Sequence, residues 1–277
     1  MTLVITEVSN VGIVMAADSA ITILRGNKIV EIDQQDQRKL LEVPSIKAGI
    51  SYWGMIGSVT SIRFDQWLER VIVSDNYSDL SSFADHLAKS LNKACHNKPL
   101  TDTRGLGVHV AGYAKWEDGN KRPFFYHVHN GHGAIQIHHD VEKMADGRNR
   151  LIAVHPRWVG QPRKLFDKHQ DFPCKDKSLK ENLDILNNGY ITRNGDYFFY
   201  SVIWDKLQQG FSYLNLIPNV SIPRDPKNLN SRKGLLHTAL ETTIRVYRCS
   251  NQSRIIGGTV RSLAIGPRGF LPETKHK

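Results

Sequence analysis

The sequence runs Gly12-Ile13-Val14-Met15-Ala16-Ala17-Asp18-Ser19 through a short apolar stretch that ends in an aspartate and a serine. A second apolar run, Leu3–Val8, precedes it, and Ser9-Asn10 connects the two. Two runs rich in β-branched residues with a short polar connection predict a β-hairpin. This hairpin begins directly after Thr2.

Thr2 follows the initiator methionine, and a small second residue permits removal of Met1. As an N-terminal residue, Thr2 would supply a nucleophilic hydroxyl together with a base. Its free α-amine has a reference pKa of about 7.7–8.0 and can accept the hydroxyl proton. The competing interpretation is that Thr2 only begins a strand.

The length and composition are those of a globular protein that can bury a sizeable core. The chain has 277 residues, of which 23% are charged and 40% hydrophobic. One enlarged domain and two domains both fit this length. We interpret residues 2–277 as a single domain with a divergent insertion at about 138–193. Prolines, many lysines and little periodicity predict loops or irregular structure there.

The predicted elements are grouped rather than strictly alternating. Strands are predicted after the hairpin at Lys28–Ile32, Lys39–Val43, Ala48–Tyr52, Leu106–Ala114, Pro123–Val128 and Thr259–Ile265. Helices are predicted around 62–71, at 80–94 behind a Ser78 cap, at Asp196–Gln209, and at Ser231–Tyr247 with Ser231 as cap. This order favours antiparallel sheets covered by helical layers over a doubly wound parallel sheet.

The charge and the apolar runs limit the expected partners. The net charge of +10 favours anionic partners. The basic residues are spread along the chain without a recognised nucleic-acid motif, so nucleic acid is not expected as a partner. No run of eighteen apolar residues occurs, and the apolar start has no basic flank. We therefore expect a cytoplasmic protein without a membrane partner.

Neither cofactor nor metal is expected. The three cysteines lie far apart without CxxC spacing, so they are interpreted as reduced thiols. His127 and His129 alternate at the end of a predicted strand and would share a face, and His132, His138 and His139 follow, so this cluster is a candidate metal site. No recognised ligand spacing accompanies them, and solvated strand-end histidines are the preferred interpretation.

The segment Gly12–Ser19 resembles the second strand of proteasome β subunits and related N-terminal-nucleophile (Ntn) peptidases, among them the HslV and Anbu peptidases. In that family an aspartate follows the nucleophilic threonine by sixteen residues, and Asp18 follows Thr2 by sixteen. Lys39 looks like the family's strand-initiating lysine. Gly54 looks like its oxyanion-hole glycine, fifteen residues after the lysine where the family has fourteen. Gly257-Gly258 resembles the pair before the family's last strand.

The resemblance implies an α+β fold, a four-layer αββα Ntn-hydrolase sandwich of antiparallel sheets flanked by helices. It also implies a catalytic set. Thr2 would attack a peptide carbonyl, Lys39 would lower the pKa of the α-amine, Asp18 would hold Lys39, and the Gly54 amide would stabilise the oxyanion. Singly, the last three residues have ordinary interpretations as a turn aspartate, a solvated strand-edge lysine and a strand-ending glycine.

The same offsets imply a substrate-binding set. Thr22 matches the position whose backbone aligns the substrate as an added strand. Ile21, Tyr52 and Ile56 would line an apolar pocket for the substrate residue before the cleaved bond.

The implied function is a threonine-type endopeptidase that hydrolyses peptides or unfolded proteins inside a self-assembled homo-oligomeric ring. An ATPase unfoldase would be a separate chain, because no nucleotide motif occurs here. Two alternatives are a catalytically weak or inactive ring-forming scaffold and an Ntn amidase acting on a small amide.

Two departures from the family pattern concern accessory groups. Counting back from Gly257-Gly258, Ser253 and Ile256 occupy the positions of the family's Asp-x-x-Ser pair. The family's remaining serine would fall near Asn194-Gly195. The accessory groups therefore come from elsewhere, or catalysis is slow.

Overall fold

The computed structural model describes residues 3–25, 28–33, 37–54, 62–74, 77–95, 105–130, 135–143, 149–158, 166–195, 197–219, 221, 226–249 and 256–272. Thr2, Ile56 and Ser253 lie outside these ranges.

Fourteen strands and five α-helices are assigned in the described residues. The strands are β1 (Leu3–Ser9), β2 (Gly12–Ala17), β3 (Ile21–Arg25), β4 (Lys28–Asp33), β5 (Leu40–Val43), β6 (Ala48–Gly54), β7 (Leu106–Lys115), β8 (Lys121–His129), β9 (Ile135–Lys143), β10 (Asn149–Trp158), β11 (Asp167–Phe172), β12 (Tyr190–Gly195), β13 (Arg261–Gly266) and β14 (Gly269–Phe270). The helices are α1 (Phe64–Val73), α2 (Leu80–Cys95), α3 (Leu179–Asn188), α4 (Tyr197–Leu214) and α5 (Leu229–Cys249).

Two five-stranded antiparallel sheets form the body of the chain. The first sheet has the order β12-β1-β2-β13-β14, and the second has the order β11-β8-β7-β6-β5. Two further ribbons, β3-β4 and β9-β10, are also antiparallel. The predicted hairpin of β1 and β2 lies at the centre of the first sheet, and the predicted α+β class with antiparallel sheets is confirmed.

The central hairpin is buried on both faces. All seven residues of β1 are buried. Val4 and Val8 belong to an apolar cluster shared with the second sheet, α1 and α2. Leu3 and Ile5 belong to another cluster, shared with α5. Successive residues of a strand point to opposite faces, so burial of both faces explains why apolar residues are not restricted to alternate positions of β1.

The helix starts differ from the sequence prediction at two caps. The Asp79 carboxylate, not Ser78, accepts a hydrogen bond of 2.8 Å from the Ser82 amide at the start of α2. At the start of α5 the side chain of Asn228, not Ser231, accepts one of 2.8 Å from the Ser231 amide. Asp and Asn cap at least as well as serine, so a serine near a helix start does not by itself identify the cap.

The prediction of loops or irregular structure at 138–193 is wrong, because the described residues in this range form strands and a helix. Strands β11 and β12 pair with β8 and β1 and form edges of the two sheets. Strand β11 is half-buried along most of its length, so its sequence shows little apolar periodicity. Helix α3 begins with a capping box of Ser178 and Glu181, which is a recognisable sequence signal for the start of a helix. The single-domain interpretation stays a prediction.

The helices within the described part of the chain include none that combines the length and apolar character needed to cross a membrane.

Candidate active site

Asp18 lies directly after β2 and joins three segments of the chain. Its Oδ1 accepts hydrogen bonds from the Leu3 amide at 2.9 Å and from Lys39 Nζ at 2.8 Å. Its Oδ2 accepts a bond of 3.0 Å from the Gly257 amide. The side chain is wholly buried. Asp18 is therefore a buried carboxylate that organises the site rather than an aspartate of an exposed turn.

Lys39 precedes β5, and its side chain is also wholly buried. The ammonium donates to Asp18 Oδ1 at 2.8 Å and to the Ala20 carbonyl oxygen. Burial lowers the pKa of Lys39, while the charge and hydrogen bond of Asp18 act in the opposite direction. The interpretation of Lys39 as a solvated strand-edge charge is wrong. An ion pair removed from water needs both partners, because either charge alone would be buried without compensation.

The segment that follows Asp18 is fixed to the Gly257-Gly258 pair. The Ser19 and Ala20 amides both donate to the Gly257 carbonyl, at 3.2 and 3.1 Å. The Ser19 hydroxyl accepts a bond of 2.8 Å from the Thr259 amide. Gly258 has a φ of +71°, and a side chain there would collide with Ser19 Oγ. Gly258 thus permits the close approach of this segment, and the Gly257 amide reaches the Asp18 carboxylate.

Gly54 ends β6 with a φ of +96°, and a Cβ there would collide with the Gly105 carbonyl oxygen. Gly54 pairs with Leu106 of β7. The Leu106 amide and carbonyl both bond to Asn130, on the side of β7 away from β6, so they are not bonded to Gly54. The Gly54 amide therefore points to the other edge of β6. The Tyr52 amide, two residues earlier, points to that same edge and donates to the Lys39 carbonyl at 3.2 Å. The amide of Gly54 is thus directed to the side of β6 on which Lys39 lies.

The predicted substrate-binding residues are only partly brought together. Ile21 and Thr22 begin β3, directly after Ala20, whose carbonyl binds Lys39. Tyr52 is fully buried, and its ring packs edge-on against Phe64 with centroids 4.8 Å apart. Its hydroxyl has no hydrogen-bond partner among the residues that the structure describes. Ile56 lies outside the described residues.

Thr2 also lies outside the described residues, but its covalent neighbour Leu3 is held at the site. The Leu3 amide nitrogen, which is bonded to the carbonyl carbon of Thr2, and the Lys39 ammonium both donate to Asp18 Oδ1. The Lys39 ammonium therefore lies within two hydrogen bonds of the peptide that joins residues 2 and 3.

The positions of the family's accessory groups carry other side chains. Ile256 is buried and apolar, so it offers no hydroxyl. Gly195 pairs with Leu3, and Val4 pairs with Asn194. The Asn194 amide oxygen accepts from His109 Nε2 at 2.6 Å, and His109 Nδ1 accepts from the Thr6 hydroxyl at 2.8 Å. Sequence reasoning missed this trio because its members lie on three strands far apart in the chain.

The prediction of solvated strand-end histidines is wrong for His127, which is buried. His127 Nε2 accepts from Trp53 Nε1 at 2.9 Å, and His127 Nδ1 lies 3.5 Å from Asp171 Oδ2. Burial lowers the pKa of both His109 and His127 to about 3, so both rings are neutral at physiological pH. No three histidine, cysteine or acidic side chains among the described residues are arranged to share a metal ion.

No family model and no curated protein matches the sequence. Among solved structures, the chain is similar to an Anbu (Gly-1) mutant from Hyphomicrobium sp. strain MC1, with 14% sequence identity, a TM-score of 0.49, and coverage of 96% of this chain and 82% of that chain. It is also similar to Anbu (ancestral beta-subunit) from Yersinia bercovieri, with 12% identity, a TM-score of 0.49, and coverage of 100% of this chain and 88% of that chain. The structural neighbours are thus Anbu proteins, at low sequence identity.

Proposed function

We propose that this chain is an N-terminal threonine peptidase of the proteasome-like kind, with Thr2 as nucleophile once Met1 is removed. One observation carries the proposal: the carboxylate of Asp18 holds both the buried Lys39 ammonium and the amide that follows Thr2. A structural ion pair alone would not require a shared contact with the second peptide bond of the chain.

In the proposed reaction the α-amine of Thr2 accepts the proton of its own hydroxyl, and Oγ bonds to the substrate carbonyl carbon. The nearby positive charge of Lys39 favours the neutral amine by lowering its pKa. The C–N bond then breaks, and the leaving amine takes the proton. Water hydrolyses the resulting ester, which releases the acyl product and restores the hydroxyl.

The backbone would supply the remaining groups. The Gly54 amide, directed to the Lys39 side of β6, is the proposed donor to the oxyanion. Strand β3 would align the substrate through Thr22 as an added strand, with Ile21, Tyr52 and Ile56 at the pocket. The proposed architecture is the four-layer αββα sandwich, and the two apolar clusters on opposite faces of β1 support it.

The proposed assembly is a ring of identical subunits. The C-terminal end of α4 and the residues directly after it support this assembly. Tyr213 and Leu216 are 72% and 79% exposed, with Leu214 and Ile217 beside them. Contiguous exposed apolar side chains mark contact surfaces in soluble proteins.

Native mass spectrometry tests the proposed ring. A Leu216→Asp/Ile217→Asp variant should lose the oligomer, and Val73→Asp, equally exposed on α1, should keep it. A wild-type monomer would contradict the ring.

The alternative of a weakly active ring-forming scaffold has a specific observation in its favour. Ile256 and the Asn194-Gly195 pair provide no hydroxyl at the family's accessory positions. Under this alternative the buried ion pair serves folding, and peptide turnover is negligible.

Three measurements decide between the peptidase and the scaffold. Intact mass of the native protein shows whether Met1 is absent. Retained Met1 would leave Thr2 without a free α-amine as the catalytic base and would contradict the peptidase proposal. Fluorogenic peptides then compare the wild type with Thr2→Ala and Thr2→Ser. The peptidase requires loss of turnover in Thr2→Ala and residual turnover in Thr2→Ser. An electrophilic peptide should add mass at residue 2 only in variants that keep a hydroxyl there.

A further inference from the structure

A large open cavity lies at the end of the second sheet opposite the candidate active site. Its volume is about 840 Å³, which is within the range of ligand sites. Strand β7 runs from Leu106, the partner of Gly54, to Lys115, which lines the cavity. The starts of α2 and α3 close its sides. The cavity shares no residue with the candidate active site.

The rim of this cavity is strongly cationic. Five exposed lysines line it and form no ion pair with any residue that the structure describes: Lys47, Lys115, Lys121, Lys175 and Lys177. The acidic residues in the lining are Asp79 and Glu117. The Asp79 carboxylate is already engaged as the cap of α2. The lining thus has five lysines against two carboxylates, which is an excess of positive charge.

The floor of the cavity is apolar and largely aromatic. Its buried members are Leu80, Trp116, Phe124 and Tyr126, and Tyr113 and Leu179 are half-buried beside them. An apolar floor inside a cationic rim complements a ligand with an apolar anchor flanked by negative charges.

Two features favour carboxylates over phosphates. Phosphate sites commonly use the free amides of a helix N-terminus. Here Asp79 caps α2, and a capping box of Ser178 and Glu181 occupies the start of α3. The Ser82 and Glu181 amides at these helix starts are therefore already bonded to the cap side chains and are not free to bind a phosphate. The rim cations are exposed lysines, which act as point charges and suit the dispersed carboxylates of a peptide.

We propose that this cavity binds an acidic peptide segment of a partner protein, with one aromatic or aliphatic side chain as anchor on the floor. The lysines contact the flanking aspartates or glutamates. This site is independent of peptide hydrolysis, and its test needs no turnover.

Fluorescence anisotropy of the full-length protein tests the proposal with a labelled peptide that carries a Tyr-Leu anchor between runs of Asp and Glu. Binding should weaken as salt rises, because exposed charges are screened over about 8–10 Å at moderate ionic strength. A peptide with the carboxylates replaced by amides, and one with the anchor replaced by Ser-Ser, should each bind at least about tenfold more weakly.

Charge reversal of the rim locates the binding. Lys175→Glu/Lys177→Glu and Lys47→Glu/Lys121→Glu should each weaken binding about tenfold or more. Lys206→Glu, an exposed lysine on α4 outside the cavity, should change it less than about twofold. Equal affinity of the rim variants and the wild type would overturn the proposal. Displacement of the peptide by ATP at lower concentration than by unlabelled peptide would identify a phosphate site instead and would also overturn it.

Discussion

Lys39 and Asp18 form an ion pair with an Nζ–Oδ1 distance of 2.8 Å, and neither side chain is exposed to solvent. The pair joins the start of β5 to the end of β2, and thus the second sheet to the first. Because the same carboxylate also accepts from Leu3 and Gly257, the pair fixes both the N-terminal strand and the approach to β13.

The two side chains of this pair should depend on each other for their contribution to stability. Lys39→Met or Asp18→Asn should each lower the free energy of unfolding by about 3–5 kcal/mol, because a buried charge is left unpaired. The double variant should cost clearly less than the sum of the two. Urea unfolding at neutral pH measures all three differences. Additive costs would show that the two side chains do not depend on each other.

Substitution at Gly54 should be more damaging than backbone conformation alone explains. Gly54→Ala introduces a side chain at a φ of +96°, against the Gly105 carbonyl. Gly119→Ala is the matched control, because its φ is +78° and nothing lies within 4 Å of the added carbon. We expect a cost of about 1 kcal/mol for the control and a larger one for Gly54→Ala. Urea unfolding compares the two, and equal costs would contradict the crowding seen at Gly54.

The contact between Asp18 and Lys39 was predicted only from the resemblance to the Ntn peptidases. Asp18 follows β2 of the first sheet and Lys39 precedes β5 of the second, so their contact depends on how the two sheets pack and not on spacing along one strand. The contact between Asp18 and Gly257 spans most of the chain, and only the paired glycines pointed to it. The His109–Asn194 bond was not predictable, because it depends on an edge strand without apolar periodicity. Local periodicity predicts the buried strands, whereas partially exposed strands are identified only through their pairing.

Acidification should destabilise the protein through His109 and His127. Their pKa values are about 3 in the folded state and about 6.5 when unfolded, so the unfolded state binds more protons between these values. Stability is therefore fully present above pH 6.5 and is lost as pH falls toward about 3, by about 1.4 kcal/mol per pH unit for each histidine. Burial raises the pKa of the neighbouring Asp171, so the folded state disfavours its ionised form. This residue therefore contributes stability at low pH, and that contribution is lost as pH rises above its ordinary pKa.

Urea unfolding at a series of pH values between 7 and 4 measures this dependence. His127→Gln keeps an acceptor for Trp53 Nε1 and removes one titrating group, so its stability should fall less steeply with acid than that of the wild type. Parallel pH curves for the two proteins would exclude His127 as a source of acid sensitivity.

The hydroxyl of Tyr52 should contribute nothing to folding, because it is buried and has no hydrogen-bond partner within the described ranges of the chain. Tyr52→Phe should leave the free energy of unfolding unchanged or raise it by up to about 1 kcal/mol. Tyr77→Phe is the matched control, since that hydroxyl donates to the Val71 carbonyl, and its loss should cost about 1 kcal/mol. A destabilised Tyr52→Phe protein would show that the hydroxyl has a partner in the folded state.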